Sequence, residues 1–397
     1  MELKELRDLK IIILAWISPK GQSFFYHSIL NMFPISFFYI KRNSFYIYFL
    51  FFISFQFVSC DNGADISQKI KVGSINFADW EDLIEFVDVI PLQDDSNCMI
   101  SMADHCLLSR DRLFFSDYKT KQIYSYSTSG KYIGKIGQRG HAKNEYTKVL
   151  DLWLTDNDST LVVLDTNSLL YFNSNTGKLN KRVRNRNLDY ERFAIQNDSS
   201  ILFIPDIDGT ASIILERGEK ILELRQRKRV PFIVNTFYKY GDSCRVISDY
   251  GDFYIDTYDS NKLHKTYSFE LGNMALPEKL STKTYDEFEI VDSEPDYFKC
   301  ITRVLETSKN IFVKFVGPNQ TYYSLFANKH SLKSVTGPTP KGTGFTIIGA
   351  DTKYFYALLY PDYVENGVFT KKIIDNYAIE TKNPILIKFS IKNEVLE

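Results

Sequence analysis

Three aspartates fall at matching places in a repeated phrase. Asp117, Asp165 and Asp256 each follow a short apolar run, in L-F-F-S-D, L-V-V-L-D and F-Y-I-D. Carboxylates recurring at one level around an axis would supply the oxygens that a hard cation such as Ca²⁺ needs. The competing assignment is a turn, in which each Asp accepts from nearby backbone amides. The turn is favoured, because Asp206 is displaced in its copy and Lys314 and Ala357 stand where two further acids would be required. A second group lies in G-Q-R-G-H-A-K-N-E-Y, Gly137 to Tyr146. Arg139, His141, Lys143, Glu145 and Tyr146 would form a ligand-facing loop, able to take a carboxylate or sulfate. Otherwise Gly137 and Gly140 shape a tight turn, Tyr146 packs and the charges are solvated. A third group is basic: Arg182, Arg184 and Arg186 alternate, and Arg225-Gln226-Arg227-Lys228-Arg229 is a run. These are either an anion-binding face, toward acidic glycans or lipid headgroups, or charge protecting an outer strand from pairing.

Other chemistry finds few residues to carry it. The five cysteines include no C-x-x-C and the five histidines no H-x-x-x-H, so zinc ribbons and His-rich metal centres lack ligands. No nucleophile elbow, Walker loop or zincin motif occurs, and Gly342-Thr343-Gly344 is a lone glycine-rich turn. Cys98 and Cys106 are open to a disulfide or to two buried thiols. Formal net charge is -1, so no global field draws the chain to nucleic acid.

The first 59 residues read as an address. Apolar stretches broken by Pro19, Pro34 and Lys41-Arg42 lead to Phe45–Val58, then Ser59-Cys60. A basic segment, a short apolar core and a small residue before the cut make a secretory signal. F-V-S-C resembles a bacterial lipobox with Cys60 as the lipidated residue, although Phe57 stands where Leu is usual. The run 45–58 is short for a spanning helix, which needs about 20 apolar residues. Residues 1–31 read as an over-extended start ahead of Met32, and 60–84 as a polar tether.

From residue 85 the pattern is strand, turn, strand. Leu113–Asp117 with Gln122–Tyr126, Leu161–Asp165 with Leu169–Phe172, and Ile201–Pro205 with Ser212–Leu215 carry one phrase. Asp252–Asp256 with Leu263–Tyr267, Asn310–Lys314 with Tyr322–Phe326, and Lys353–Ala357 with Pro384–Phe389 repeat it. A period of roughly 40 to 60 residues is that of propeller blades. Aromatics at 15% favour strands, since flat rings pack well on pleated surfaces. A lone four-stranded sheet cannot bury both faces, whereas six around an axis can. The expectation is therefore an all-β, six-bladed propeller over 85–397, each phrase marking the inner-to-outer strands of a blade. Phe86–Leu92 would close the ring against Ile385–Phe389. One helix is expected, over 275–288.

The joint G-K-Y-I-G-K-I-G-Q-R-G-H-A-K-N-E-Y followed by L-V-V-L-D, and the closing N-P-I-L-I-K-F-S, resemble the six-bladed propeller lipoproteins of Bacteroidetes, themselves similar to NHL-repeat propellers. The resemblance implies an envelope location, with a lipid anchor in the outer membrane, and supplies no substrate. Function is then expected to be binding or scaffolding of a glycan, a peptide or an envelope partner, without catalysis or cofactor. The alternative is a metal-assisted hydrolase or lyase of lactonase-like type, with Asp117, Asp165 and Asp256 as metal candidates.

Overall fold

A computed structural model describes residues 67–396, apart from 74–76, 78, 96–97, 156–157, 167, 185–189, 198–199, 206–210, 228–235, 281–291, 341–343, 363–367 and 378. The leader, Cys60, Arg186, Lys228 and Arg229 lie outside the described residues. Two strands, β1 (Gln68–Lys71) and β2 (Ile84–Pro91), precede the first blade. Blade one is β3 (Ala103–Leu108), β4 (Arg112–Asp117), β5 (Ile123–Ser127) and β6 (Tyr132–Ile136). Blade two is β7 (Asp151–Leu154), β8 (Thr160–Asp165), β9 (Ser168–Asn173) and β10 (Leu179–Arg184). Blade three is β11 (Tyr190–Asn197), β12 (Ser200–Pro205), β13 (Ala211–Arg217) and β14 (Lys220–Gln226). Blade four is β15 (Phe237–Tyr240), β16 (Ser243–Ile247), β17 (Tyr254–Asp259) and β18 (Lys262–Glu270). Blade five is β19 (Cys300–Glu306), β20 (Asn310–Val316), β21 (Tyr322–Asn328) and β22 (Ser334–Pro338). Blade six is β23 (Phe345–Ala350), β24 (Phe355–Leu359) and β25 (Ile385–Ile391), completed on the outside by β2.

The molecule is thus a six-bladed β-propeller of antiparallel blades. The inner strands β3, β7, β11, β15, β19 and β23 follow one another around the axis. The face on which these strands begin is called the upper face below.

Alternation assigns each side chain to a gap between blades. In β4, Leu113 and Phe115 enter the core shared with blade six, and Phe114 the core shared with blade two. In β8, Leu161 and Val163 face blade one while Val162 and Leu164 face blade three. A middle strand covered on both faces is apolar at every position, which is why such runs are conspicuous in sequence. The repeated phrase marks the second and third strands in five blades, β4/β5 being the first such pair, and not the innermost strands. In blade four it slips by one strand and marks β17 and β18. Inner strands escape such a search because they turn one side to the axis and carry polar residues there.

Ring closure follows the expected pairing. β2 runs antiparallel to β25, with Phe86 opposite Phe389 and Ile90 opposite Leu386. The stretch expected as a tether, however, is built into the body from Gln68 onward. β1 adds to β18 in parallel as a fifth strand. The Ser334 hydroxyl of blade five then donates to the Lys71 carbonyl. Asp79 caps a 3₁₀ turn, Trp80–Asp82, by accepting from the Trp80 amide at 2.6 Å. That turn sets Trp80, 1% exposed, 5.3 Å from Phe345 and edge-on to Phe326. The segment is a belt over blades four, five and six, held by apolar burial.

The expected helix over 275–288 is not an α-helix where it is described: a 3₁₀ turn occupies Glu278–Leu280, and 281–288 lie outside the described residues. An α-helix does form between β24 and β25, α1 (Val368–Tyr377). Its Phe369 and Ile373, one turn apart on one face, are buried against blade six. No described helix is long and apolar enough to cross a membrane.

Candidate functional site

The inner strands enclose an axial cavity of about 170 Å³. Five of the six line it: β3, β7, β15, β19 and β23. On β3, an irregularity between Ala103 and Cys106 turns His105 toward the axis, its amide donating to the Ser116 hydroxyl at 3.2 Å. His105 Nδ1 lies 3.8 Å from an Asp151 carboxylate oxygen, with side-chain exposures of 11% and 15%. That separation is a charge contact and not a hydrogen bond. Asp151 opens β7 and accepts instead from the amides of Leu152 at 2.9 Å and Phe193 at 3.1 Å. The second of these ties blade two to blade three. Arg192 stands beside the pair, its guanidinium donating to the Leu150 carbonyl at 3.0 Å.

Burial sets the protonation of this group. It pushes the Asp151 carboxyl above the ordinary carboxylate range, against the pull of Arg192 and His105. It pushes the His105 imidazole below its ordinary value, against Asp151, so the ring is neutral at pH 7. Across the cavity Arg303 of β19 donates to the Ile347 carbonyl of blade six at 2.6 Å. Its cross-strand partner is Lys314, a second cation on the same side. Burial, then Arg303, pulls the Lys314 amine down to about 8. Lys239 and Asp158 complete a lining with charges of both signs. Such a lining offers donors and acceptors to a small polar group and gives no general attraction for one sign of charge.

A second cluster sits behind the same wall. Glu306, at the end of β19, is 5% exposed. It accepts from the hydroxyls of Tyr238 at 2.9 Å and Tyr267 at 3.3 Å, from Arg245 at 3.2 Å and from Lys329 at 2.8 Å. The Lys329 ammonium also lies 3.7 Å from the centre of the Tyr240 ring.

The residues singled out from sequence lie elsewhere. Asp117 and Asp165 end second strands at the upper face, whereas Asp256 lies within the third strand of blade four, so the three do not form a ring. Asp117 accepts from the amides and hydroxyls of Ser101 and Thr120 and from the Met102 amide. Burial opposes its ionisation, but these donors outweigh burial and hold the carboxyl below its ordinary value. Asp165 likewise accepts from Thr147, Lys148 and Thr166. Both carboxylates pin the segment that leads into an inner strand. Asp256 pairs with Arg225 at 2.7 Å, and Arg225 also reaches Asp249 at 3.3 Å. Among the described residues no three His, Cys, Asp or Glu side chains converge as a metal site.

In the loop 137–146, Tyr146 is fully buried, its hydroxyl accepting from the Ile123 amide at 3.1 Å and its ring edge-on to Phe172. Gly137 has φ +59, and a Cβ there would stand 2.6 Å from the Phe172 ring, so this turn requires glycine. Glu145 accepts from the Ala142 amide at 2.9 Å, closing the loop on itself. Arg139 and His141 are exposed and are not among the residues that line the axial cavity. Cys98 and Cys106 are free thiols: Cys98 lies 3.0 Å from the Tyr126 hydroxyl, and Cys106 lines the cavity. Burial pushes them up to about 11 and about 12.

Sequence reasoning missed His105, Asp151 and Arg303. The available signal was a single charged or polar residue interrupting a short apolar run just ahead of each conspicuous strand, as in D-L-W-L and T-R-V-L.

The fold has solved relatives. A protein described as exported, from Bacteroides fragilis NCTC 9343, superposes with a TM-score of 0.69 at 18% identity, covering 82% of this chain and 100% of its own. A member of the DUF4221 family from Bacteroides vulgatus superposes with a TM-score of 0.53 at 11% identity, covering 78% of this chain and 98% of its own. At such identities the likeness is one of fold. No curated protein matches the sequence. Residues 64–394 match the domain of unknown function DUF4934, and the chain belongs to that family.

Proposed function

We propose that this protein is an envelope-localised propeller that binds a ligand at its axis and does no chemistry on it. The observation that carries the reading is the axial cavity with His105, Asp151 and Arg303 on its wall. Ionisable groups taken from water cost several kcal/mol each unless something compensates them, and such groups concentrate at functional sites. At about 170 Å³ the cavity lies below the roughly 300 Å³ at which drug-sized sites begin, so it suits one sugar unit or one amino-acid residue of a larger ligand. The metal-assisted hydrolase or lyase reading has less support, because Asp117, Asp165 and Asp256 are dispersed over separate turns and an ion pair. Lipid attachment at Cys60 is read from the F-V-S-C leader, and residence in the outer membrane from the resemblance to propeller lipoproteins. The exported relative from Bacteroides fragilis agrees with an envelope address.

The test is a thermal-unfolding screen of the full chain with monosaccharides and short peptides, repeated with Arg303→Met. A ligand that raises the melting temperature of the wild type and not of Arg303→Met supports axial binding. The reading fails if no compound in either panel shifts unfolding, or if the shift is the same in the variant. For the anchor, Cys60→Ala is expected to move the protein from the membrane fraction to the soluble one.

A further inference from the structure

Two features separated in sequence meet at the rim of the upper face, between blades one and two. The loop 137–146 brings Lys143, and the outer strand β10 brings Arg182 and Arg184. They surround an open cleft of about 460 Å³, whose other described lining residues are Thr147, Thr166, Ser168 and Asp165. Arg182 and Arg184 are two residues apart and so share one face of β10. The register sets Arg182 opposite Leu170, which is buried in the core between blades one and two. Lys181 takes the other face, over Tyr171 at 5.4 Å. Edge protection alone would be served by charges on either face of the strand. Here two guanidinium groups turn toward one loop, and that loop presents an ammonium.

The single carboxylate among the described lining residues is already engaged. Asp165 is 4% exposed and accepts from the Thr147 hydroxyl at 2.6 Å, the Thr147 amide at 3.3 Å, the Lys148 amide at 3.0 Å and the Thr166 amide at 2.9 Å. It locks the floor of the cleft to the loop. Arg182 donates one N–H to the Glu145 carbonyl, which fixes its guanidinium between strand and loop. Among the described residues neither Lys143 nor Arg184 has a carboxylate partner. Among the described lining residues, three cations against one engaged carboxylate leave an excess of two positive charges in a concavity, where low-dielectric walls focus the field.

We propose that this cleft binds a tetrahedral oxyanion, phosphate or sulfate, either free or as an ester on a saccharide. Two planar forks and a point charge around hydroxyl-bearing side chains match several oxygens on one centre, and two excess charges match a dianion. The site is separate from the axial cavity, since it shares no lining residue with it.

The experiment is calorimetric titration of the full chain in detergent at low ionic strength. The probes are inorganic phosphate, inorganic sulfate, a hexose 6-phosphate and a hexose 6-sulfate. Saturable binding of at least one probe is expected, weakening as salt is added. Lys143→Gln combined with Arg184→Gln is expected to weaken it at least about tenfold without changing the melting temperature of the free protein. Equal affinity for free ion and ester assigns the site to the free ion; tighter binding of an ester assigns it to a charged saccharide. Arg182→Gln serves as a second variant; because Arg182 also holds the loop, its melting temperature is read alongside. No saturable binding of any probe overturns the proposal. So does binding that survives the Lys143→Gln, Arg184→Gln pair. An effect of Arg303→Met on the same titrations would reassign the ion to the axis.

Discussion

Two clusters of buried charge meet at β19, one through Arg303 and the other through Glu306, and they are built on opposite principles. Glu306 has each carboxylate oxygen engaged twice, by one hydroxyl and one cation. In the other cluster Asp151 accepts from two backbone amides and Arg303 donates to a backbone carbonyl, and both border open space. The first arrangement joins blades four and five and has no room for a ligand. The second anchors its side chains to the backbone at the wall of a cavity. Partner geometry, and not burial alone, separates a structural charge cluster from a binding one.

The largest expected effect is at Glu306. Glu306→Ala would leave Arg245 and Lys329 as buried cations without their counter-charge, at a cost of about 3–5 kcal/mol. Urea unfolding at pH 7 measures it; a loss under about 1 kcal/mol would place Glu306 with the cavity residues. Lys314 should respond in the opposite direction. Its amine is held at about 8 by burial and then by Arg303, below the ordinary value near 10.4. The unfolded chain therefore binds the proton more tightly than the folded one. Stability should rise as pH climbs from about 8 toward 10.4, where only the folded state has released it. Lys314→Met should remove that slope and gain about 1 kcal/mol at pH 7, the ordinary result of replacing a buried charge by an apolar chain. A variant less stable than the wild type would show that the contact with the Tyr322 ring, 4.3 Å away, outweighs desolvation. Tyr267→Phe removes one hydroxyl from Glu306, by the longest of its four contacts, and should cost about 1 kcal/mol.

The same difference governs what was legible in the sequence. Middle strands such as L-V-V-L-D are apolar on both faces, so six blades and the closing strand Phe86–Leu92 could be read from composition and spacing. Gly137 and Tyr146 were legible as a joint because one needs a left-handed turn and the other fills the gap behind it. The belt was not legible, because Q-K-I-K is too short and polar to stand out, and its parallel partner Tyr267–Glu270 is some two hundred residues away. The cavity was hidden for a related reason. His105, Asp151, Arg192 and Arg303 come from four blades, and only ring closure brings them together. Of the aspartates that recur in sequence, Asp117 and Asp165 pin the chain entering their blades, which serves folding, and Asp256 serves an ion pair with Arg225.

The smallest expected effect on stability is also the one that bears hardest on the axial reading. Asp151→Asn keeps the shape and removes the buried charge, and it gives up one of the two backbone contacts, because Leu152 and Phe193 donate to different carboxylate oxygens and an amide has one acceptor. Burial already raises the Asp151 carboxyl, so the folded chain holds that proton above the ordinary value near 3.9, where the unfolded chain has lost it. Folding stability therefore falls as pH rises through that window, and the variant should lack the fall. His105 works in the other sense. Its pKa is depressed by burial, so the unfolded chain takes up a proton near pH 6.5 that the folded chain refuses, and stability drops as pH falls below that value. Asp151→Asn should retain this acid-side loss and stay within about 1 kcal/mol of the wild type at pH 7, while abolishing the ligand-induced rise in melting temperature. Unfolding curves at several pH values, with and without the ligand found in the screen, separate the two outcomes. A loss at pH 7 as large as that of Glu306→Ala would mean that Asp151 is a second structural bolt between blades, and the axial cavity would lose its claim to be the binding site.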